Sequence, residues 1–431
     1  MTVLIAGGGI SGLVLALSCH QAGIPFRVFE SVSAFKPLGV GINLQPSAVR
    51  ELFDLGLASR LDEVGIRTGD YGMYSKRGLH IWTEPRGMAA GYHWPQYSVH
   101  RGQFHMMLYD ELLRRAGPDS VLTGWSATGF DNTRGKAVLN LRSAQGETRT
   151  ETGTVLVGAD GIHSALRKQM NPKEGEPLWG GAVLWRGTTR AVPFLSGASM
   201  VMIGYDGLRF VSYPISHPDP QTGEATINWI ANLHDDTGQR WEKSDWNREA
   251  RIADFLPRFA DFRFGWLDVP ALVNKSDKVF EYPMVDRDPL THWTEGCVTL
   301  IGDAAHAAYP VGSNGAGAGI IDARKLVASF LAHGLGEAAL QAYEAEMRPI
   351  TSKIILTNRV AGPDKILDIV EQRCAGQFDS IEDVIAQSEL AEHAANYKRI
   401  AGFGIRETNE KPRTIDEGAR IATPIAAAAT S

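Results

Sequence analysis

Cysteine is scarce in this chain: Cys19, Cys297 and Cys374 are the only three among 431 residues, and they stand far apart. An odd number at such spacing excludes a disulfide framework and a zinc knuckle; no metal site is expected, and a reducing cytoplasm is the expected setting. Excess positive charge is lacking too. With a formal charge of -6 and a pI near 6.1, the chain has no basic field to hold a phosphate backbone, which argues against a nucleic-acid partner. No apolar run reaches the roughly 18 residues of a membrane span. The stretch Met1 to Cys19 comes nearest, but it has no basic leader and is broken by Gly7, Gly8, Gly9 and Gly12, so it reads as folded structure and not as a signal. There is no internal repeat. What remains has the composition of a soluble globular chain with room for two or three domains and a large core, which points to small-molecule chemistry.

Strand-like and helix-like segments alternate at both ends of the main body, the pattern of a parallel sheet with crossover helices. Thr2 to Ala6 reads as a buried strand, Ser11 to Ala22 as a helix and Phe26 to Glu30 as the next strand. The apolar runs Thr154 to Ala159 and Cys297 to Ile301 end in turns containing aspartate, as buried parallel strands do. Phe104, Met107, Leu108 and Leu112 give the segment from Gly102 to Ala116 one apolar helical face, best explained by core packing. From about Trp179 to Leu233 the texture changes to aromatic and β-branched strands separated by Gly, Pro and Asp turns. The expected fold is therefore α/β. A Rossmann-type domain takes residues 1–72, 100–178 and 281–335, an inserted, mainly antiparallel sheet domain takes 73–99 and 179–280, and a helical region with a loose tail takes 336–431.

Gly7-Gly8-Gly9-Ile10-Ser11-Gly12 satisfies G-x-G-x-x-G between a strand and a helix, the context that gives the pattern meaning. Gly7 allows the tight turn, Gly9 the approach of backbone to a pyrophosphate, and Gly12 close helix–strand packing; Ile10 and Ser11 carry free amides of the first helical turn. Glu30 ends the second strand, placed to accept from a ribose 2′-OH. The fingerprint alone leaves NAD and FAD open.

Three further features decide between them. Gly158-Ala159-Asp160-Gly161-Ile162-His163-Ser164, followed by Arg167, resembles the Asp-Gly motif of the single-component flavoprotein aromatic hydroxylases. Gly302-Asp303-Ala304-Ala305-His306, with Pro310 and Gly312-Ser313-Asn314-Gly315-Ala316 after it, resembles their second flavin motif, and Arg101 matches the arginine before their amphipathic helix. Within the family the segments Pro310 to Ala316 and Val285 to Pro289 most resemble the phenazine hydroxylases. The resemblance spans residues 1 to about 375 and implies a fold like that of p-hydroxybenzoate hydroxylase. It implies FAD as cofactor, with Asp303 on the ribityl chain and the amides of Gly312 to Gly319, Asn314, Gly315 and Ala316 among them, at the flavin's pyrimidine edge. Pro310 would stiffen that approach. Asp160 supports the flavin phosphate region or a structural turn, and Gly39, Gly41 and Ile42 bring main chain to the ring.

No second G-x-G-x-x-G follows a strand, and the Trp-x-Trp-x-Ile-Pro pattern of flavin halogenases is missing. The family resemblance then implies a monooxygenase in which transient NADPH or NADH reduces FAD and O₂ is carried as a flavin C4a-hydroperoxide to an aromatic or heteroaromatic small molecule. A flavin oxidoreductase without oxygen insertion, Baeyer–Villiger or decarboxylative chemistry, and a non-enzymatic flavin-binding regulator are the alternatives. Trp185, Arg186, Tyr205, Tyr213 and Trp229 are the candidates for the substrate wall, with Arg186 or Arg209 facing a substrate carboxylate. No catalytic base is assigned. His306 and Arg287, the latter between Asp286 and Asp288, read as structural.

Overall fold

The computed structural model describes residues 1–234, 248–313, 315–360, 365–400 and 404–422. Short, mainly apolar runs form a five-stranded parallel sheet in the order Val298–Leu300, Val155–Gly158, Val3–Ala6, Phe26–Glu30, Val121–Thr123. Register is what matters for function. Ala6 pairs with Gly158 and Gly158 with Leu300, so three segments remote in sequence end at one level. The ladder runs on past the strand ends, from Ala159 N to Ala6 O (2.7 Å) and from Ile301 N to Gly158 O (2.9 Å). The glycine turn, the Asp-Gly turn and the Gly302-Asp303 turn therefore emerge side by side at the carboxyl edge, where open α/β sheets gather ligands.

The first helix, Ile10–Gln21, is buried from Gly12 to Cys19 because it lies between this sheet and the helices Arg101–Ala116 and Gly315–His333. Phe104, Met107, Leu108 and Leu112 sit in that core as their spacing predicts.

A second, eight-stranded sheet is antiparallel except where Ser199–Tyr205 pairs with Asp70–Tyr74 in parallel. It collects Asp70–Tyr74, His80–Pro85 and the long strands between Leu178 and Asp286. Its strand Val279–Asp286 crosses the seam expected at residue 281, because Val279 to Tyr282 pair with Leu184 to Gly187. Tyr97–His100 instead joins a small sheet with Gly41–Leu44 and Gly65–Arg67. Successive strand residues face opposite ways. One face of the large sheet packs on an aromatic core of Phe255, Phe259 and Phe262; the other turns toward the nucleotide-binding edge.

Helices Glu337–Val360, Lys365–Cys374 and Gln387–Ile400 follow. The first joins the core of the parallel sheet through Ala339, Leu340, Tyr343 and Met347. The next two pack on the large sheet, where Ile366, Leu367, Val370 and Leu390 meet Tyr71, Met73 and Ile81. The short helix Ile405–Glu410 and the segment after it return to the first helix, Ile421 N donating to Ala22 O at 3.0 Å. No helix among the described residues is long and apolar enough to cross a membrane.

Candidate active site

The glycine turn is built as its spacing requires. Gly7 has φ +109°, and a Cβ there would lie 2.3 Å from Ala159 O; a Cβ on Gly12 would lie 2.0 Å from Gly7 O. These two glycines hold the turn against the helix and the neighbouring strand. Gly9 differs: a Cβ would meet nothing within 4 Å, because Gly9, Ile10 and Ser11 line a cavity of about 460 Å³. The first amides of a helix have no partner within it, so they are offered to whatever fills that space. Glu30 stands on the turn's outer side and does not line the cavity. Its Oε2 accepts from Gly8 N at 2.7 Å, and its Oε1 from Val32 N at 2.9 Å and Ser31 Oγ at 2.8 Å.

Asp303 opens a short helix right after Gly302 and its exposed side lines the same cavity, with Pro310, Gly312, Gly315 and Ala316 beyond it. Gly312 has φ +69°, the left-handed region that glycine favours. Asn314 lies outside the described residues. Beneath Gly302, Asp322 Oδ2 accepts from Gly302 N at 2.8 Å and lies 2.5 Å from His306 Nε2. Burial opposes charge on His306, but the Asp322 carboxylate outweighs it and holds the imidazole above its ordinary pKa. His306 is thus a buried prop for the turn, paired with Asp322 and with no face on the cavity.

Asp160 points away from the cavity, which its neighbours Ala159 and Gly161 line. Its Oδ2 accepts from Ala165 N at 2.8 Å while Oδ1 is buried without a partner, and burial pushes its pKa up. Arg167, 1 % exposed, joins the two motifs: Nη1 donates to Ala304 O and Ala305 O at 3.1 and 2.8 Å, Nη2 to Asp288 O at 3.0 Å, and Nε to Glu174. Arg287 donates to Ile162 O at 2.8 Å and reaches Glu174 at 3.4 Å. Its neighbours Asp286 and Asp288 pair with Arg359 instead.

The large sheet closes the cavity from the other side, and its pairing explains which side chains do so. Arg186, Ile230, Val211, Met202 and Met73 form one cross-strand row, each paired with the next, and every member lines the cavity. Trp185 heads the adjacent row, Ala231, Phe210 and Ile203, which faces the aromatic core. Of the residues expected on the wall, Arg186 and Tyr213 are there. Trp185 and Trp229 are not: being one strand position out of phase with Arg186 and Ile230, they point through the sheet. Trp185 stacks on Phe255 at 5.2 Å, and fully buried Trp229 donates to Ser276 Oγ at 2.9 Å. Tyr205 is not there either, lying at a hairpin end beneath Lys76.

The wall is also fastened to the nucleotide-binding side. Asn228 Oδ1 accepts from Gly41 N at 2.7 Å and Arg186 Nη2 donates to Gly41 O at 2.7 Å. A Cβ on Gly41 would lie 2.6 Å from the Asn228 side chain, so only glycine permits this seam. Ile42 lines the cavity beside Gly41, as does Arg101, whose N donates to Val40 O at 2.9 Å. Tyr213, buried against Arg186, has its phenol pushed up to about 12 by burial.

Of the residues at the far end of the cavity, only Arg209 is among the sequence candidates. That end is lined by Tyr71, Met73, Glu84, Arg86, Tyr92 and Gln96, with Asn232 and Arg209 from the long strands. Arg86 pairs with Glu84 at 2.7 Å and lies 4.7 Å over the Tyr71 ring, yet its Nε is buried without a partner; so are Gln96 Oε1 and Asn232 Oδ1. For the rest, the i, i+2 spacing of Tyr71 with Met73 on one strand and of Glu84 with Arg86 at the end of another was the available signal.

Open amides at Gly9 to Ser11 and at Gly315, an acid at Asp303, and a pinched backbone at Gly41 make a cradle that fits FAD. The comparisons agree. The "FAD binding domain" family matches residues 1–357. A phenazine 1,6-dicarboxylic acid hydroxylase, PhzS, from Lysobacter antibioticus is 43% identical over 361 residues, 83% of this chain and 89% of that one. An aurachin C monooxygenase/isomerase from Stigmatella aurantiaca is 32% identical, covering 80% and 84%. Among solved structures, Klebsiella pneumoniae HpxO complexed with FAD and uric acid shares the fold with a TM-score of 0.73 at 22% identity, covering 95% and 96%. The phenazine hydroxylase resemblance read from Pro310 to Ala316 and Val285 to Pro289 is thus matched over most of the chain, which belongs to the FAD-dependent aromatic hydroxylases.

Proposed function

We propose that this monooxygenase uses NADPH or NADH and O₂ to hydroxylate a fused heteroaromatic ring bearing a carboxylate, phenazine carboxylates being the first class to test, in a reducing cytoplasm. The observation that carries the reading is a single cavity running from the cofactor cradle, past an apolar wall, to a cationic end. When bound, FAD supplies the redox chemistry that passes electrons from nicotinamide to dioxygen. The chain's own part is to hold the ring and keep water out. Met73, Met200, Met202, Val211 and Ile230 give a flat, adaptable surface suited to a planar ring. Four arginines line the cavity, Arg86, Arg101, Arg186 and Arg209, against two acids, Glu84 and Asp303. That balance favours an anion, and the buried Nε of Arg86 has a donor to give.

No histidine or lysine lines the cavity among the described residues, so proton handling falls to phenols and carboxylates. Tyr213, held near 12, keeps the proton on its Oη at neutral pH and donates it to a ring substituent without acting as a base. Gln96 Oε1 and Asn232 Oδ1 are unspent amide oxygens that accept from substrate hydroxyl or N–H groups.

The test is turnover of phenazine-1,6-dicarboxylate, salicylate and a neutral phenazine by the FAD-loaded protein under ¹⁸O₂, with both nicotinamides. Label in a hydroxylated product, with the carboxylated ring preferred over the neutral one, is the expected result. A product without label would overturn oxygen insertion in favour of a simple oxidoreductase. Equal turnover of neutral and carboxylated rings would remove the arginines from recognition.

A further inference from the structure

The segment from Gly404 to Ala422 lies beyond the residues matched by the family, yet it is fastened along one side of the site. Its anchor at the cavity rim is Asn409, which bonds twice to one turn: Nδ2 donates to Gly91 O at 2.8 Å, and Oδ1 accepts from His93 N at 2.9 Å. The turn itself is tightly wound. Gly87 has φ +54° with its Cβ direction 2.5 Å from Gln96 N, and Gly91 has φ +98°. Two of its residues, Tyr92 and Gln96, form cavity wall, and Gln96 is only 2 % exposed with its Oε1 turned inward and unpartnered.

Behind Asn409 the segment is held by a buried arginine. Arg50, 3 % exposed, donates to Thr408 O and Pro412 O and lies 5.3 Å over the ring of Trp94, so one guanidinium ties the segment and the turn together. Thr414 Oγ1 then donates to Glu51 at 2.7 Å, and Arg420 to Gln21 O at 2.5 Å. Ala394, on helix Gln387–Ile400, lines the same cavity from outside the family's residues.

From this we infer that the C-terminal segment is a strap that shapes substrate specificity, with Asn409 the positioning residue that sets the turn carrying Tyr92 and Gln96. The inference rests on the reading of the cavity's far end as the substrate end. Asn409 touches no reacting atom. It acts by replacing the freedom of an exposed loop with two directed bonds, so its removal loosens one wall and leaves the cofactor cradle as it was.

The experiment compares FAD-loaded wild type, Asn409→Ala and Asn409→Asp. Hydrogen exchange reads the turn without any substrate: amides of residues 87–96 exchange faster in Asn409→Ala, while those of the glycine turn and the Gly302 turn are unchanged. With phenazine-1,6-dicarboxylate, KM rises about five- to tenfold, the size expected for losing two such bonds, while kcat changes less. Asn409→Asp keeps the acceptor for His93 N and falls between the two. Unchanged exchange at 87–96 overturns the strap, whatever the substrate is. Faster exchange with unchanged KM overturns its role in specificity. Failure of the wild type to turn over any aromatic acid is a different result, which sinks the hydroxylase reading while exchange still decides whether Asn409 sets the turn.

Discussion

The glycines of one motif have two different jobs, and substitution separates them. Gly9 faces open cavity, so Gly9→Val folds with near-wild-type thermal stability as apoprotein but retains little FAD. Gly12 faces a carbonyl 2.0 Å from where its Cβ would stand, so Gly12→Ala costs about 1–3 kcal/mol or more from overpacking before any cofactor is considered. Thermal melts and flavin absorbance, measured with and without added FAD, distinguish the two; equal loss of stability in both variants would contradict this division. At the other end of the cavity, Arg86→Ala raises KM for a carboxylated ring by about ten- to a hundredfold, the worth of a charge-assisted bond, and leaves a neutral ring nearly unaffected. Steady-state kinetics on the matched pair of rings checks it. The motif glycines were legible in the sequence because Gly7 and Gly12 are demanded by close backbone contact and Gly9 by the open cavity it faces. Arg86, Gln96 and Asn232 were not, because a lone polar residue, whether on a strand like Asn232 or just outside one like Arg86 and Gln96, signals nothing until its neighbours in space are known.

Between elements, the decisive links are made by arginines. Arg167 sits where the Asp-Gly turn meets the helix that begins at Asp303, and it satisfies the carbonyls of Ala304 and Ala305. Arg167→Ala strands those carbonyls and leaves Glu174 only its longer contact to Arg287, and should cost about 3–5 kcal/mol in chemical unfolding, with FAD released at lower denaturant than the main transition. A loss below 1 kcal/mol would show that the junction is held elsewhere. On helix Arg101–Ala116, hydrogen bonds from Arg114 and then Arg115 hold the Glu111 carboxyl down to about 2. A depressed folded pKa gives stability that is fully present above the ordinary carboxylate range and is lost as pH falls toward 2. The melting temperature of wild type should therefore exceed that of Glu111→Gln near neutral pH, and the gap should shrink on acidification from about pH 5 downward; a gap that does not vary with pH would refute it. Helix and strand positions were readable from periodicity, as Phe104, Met107, Leu108 and Leu112 illustrate. Phase within the large sheet was not. Trp185 and Arg186 are sequence neighbours and cannot share a face, yet only pairing to Ile230 and Ala231 says which of the two looks at the ligand.

For the molecule as a whole, the broad plan was visible: an early nucleotide fingerprint, an inserted sheet and a helical end. What composition and motifs did not convey is how the end returns to the beginning, since Asn409, Arg50 and Trp94 meet only in three dimensions. The level alignment of Ala6, Gly158 and Leu300 has a further consequence, one of timing. The cofactor's cradle draws on turns that follow residues 6, 158 and 300, so a growing polypeptide possesses no complete receptacle until its last parallel strand has been added and seated. Yellow colour is then a late event in biogenesis, and flavin capture reports that the last pairing in the sheet to become possible has been achieved.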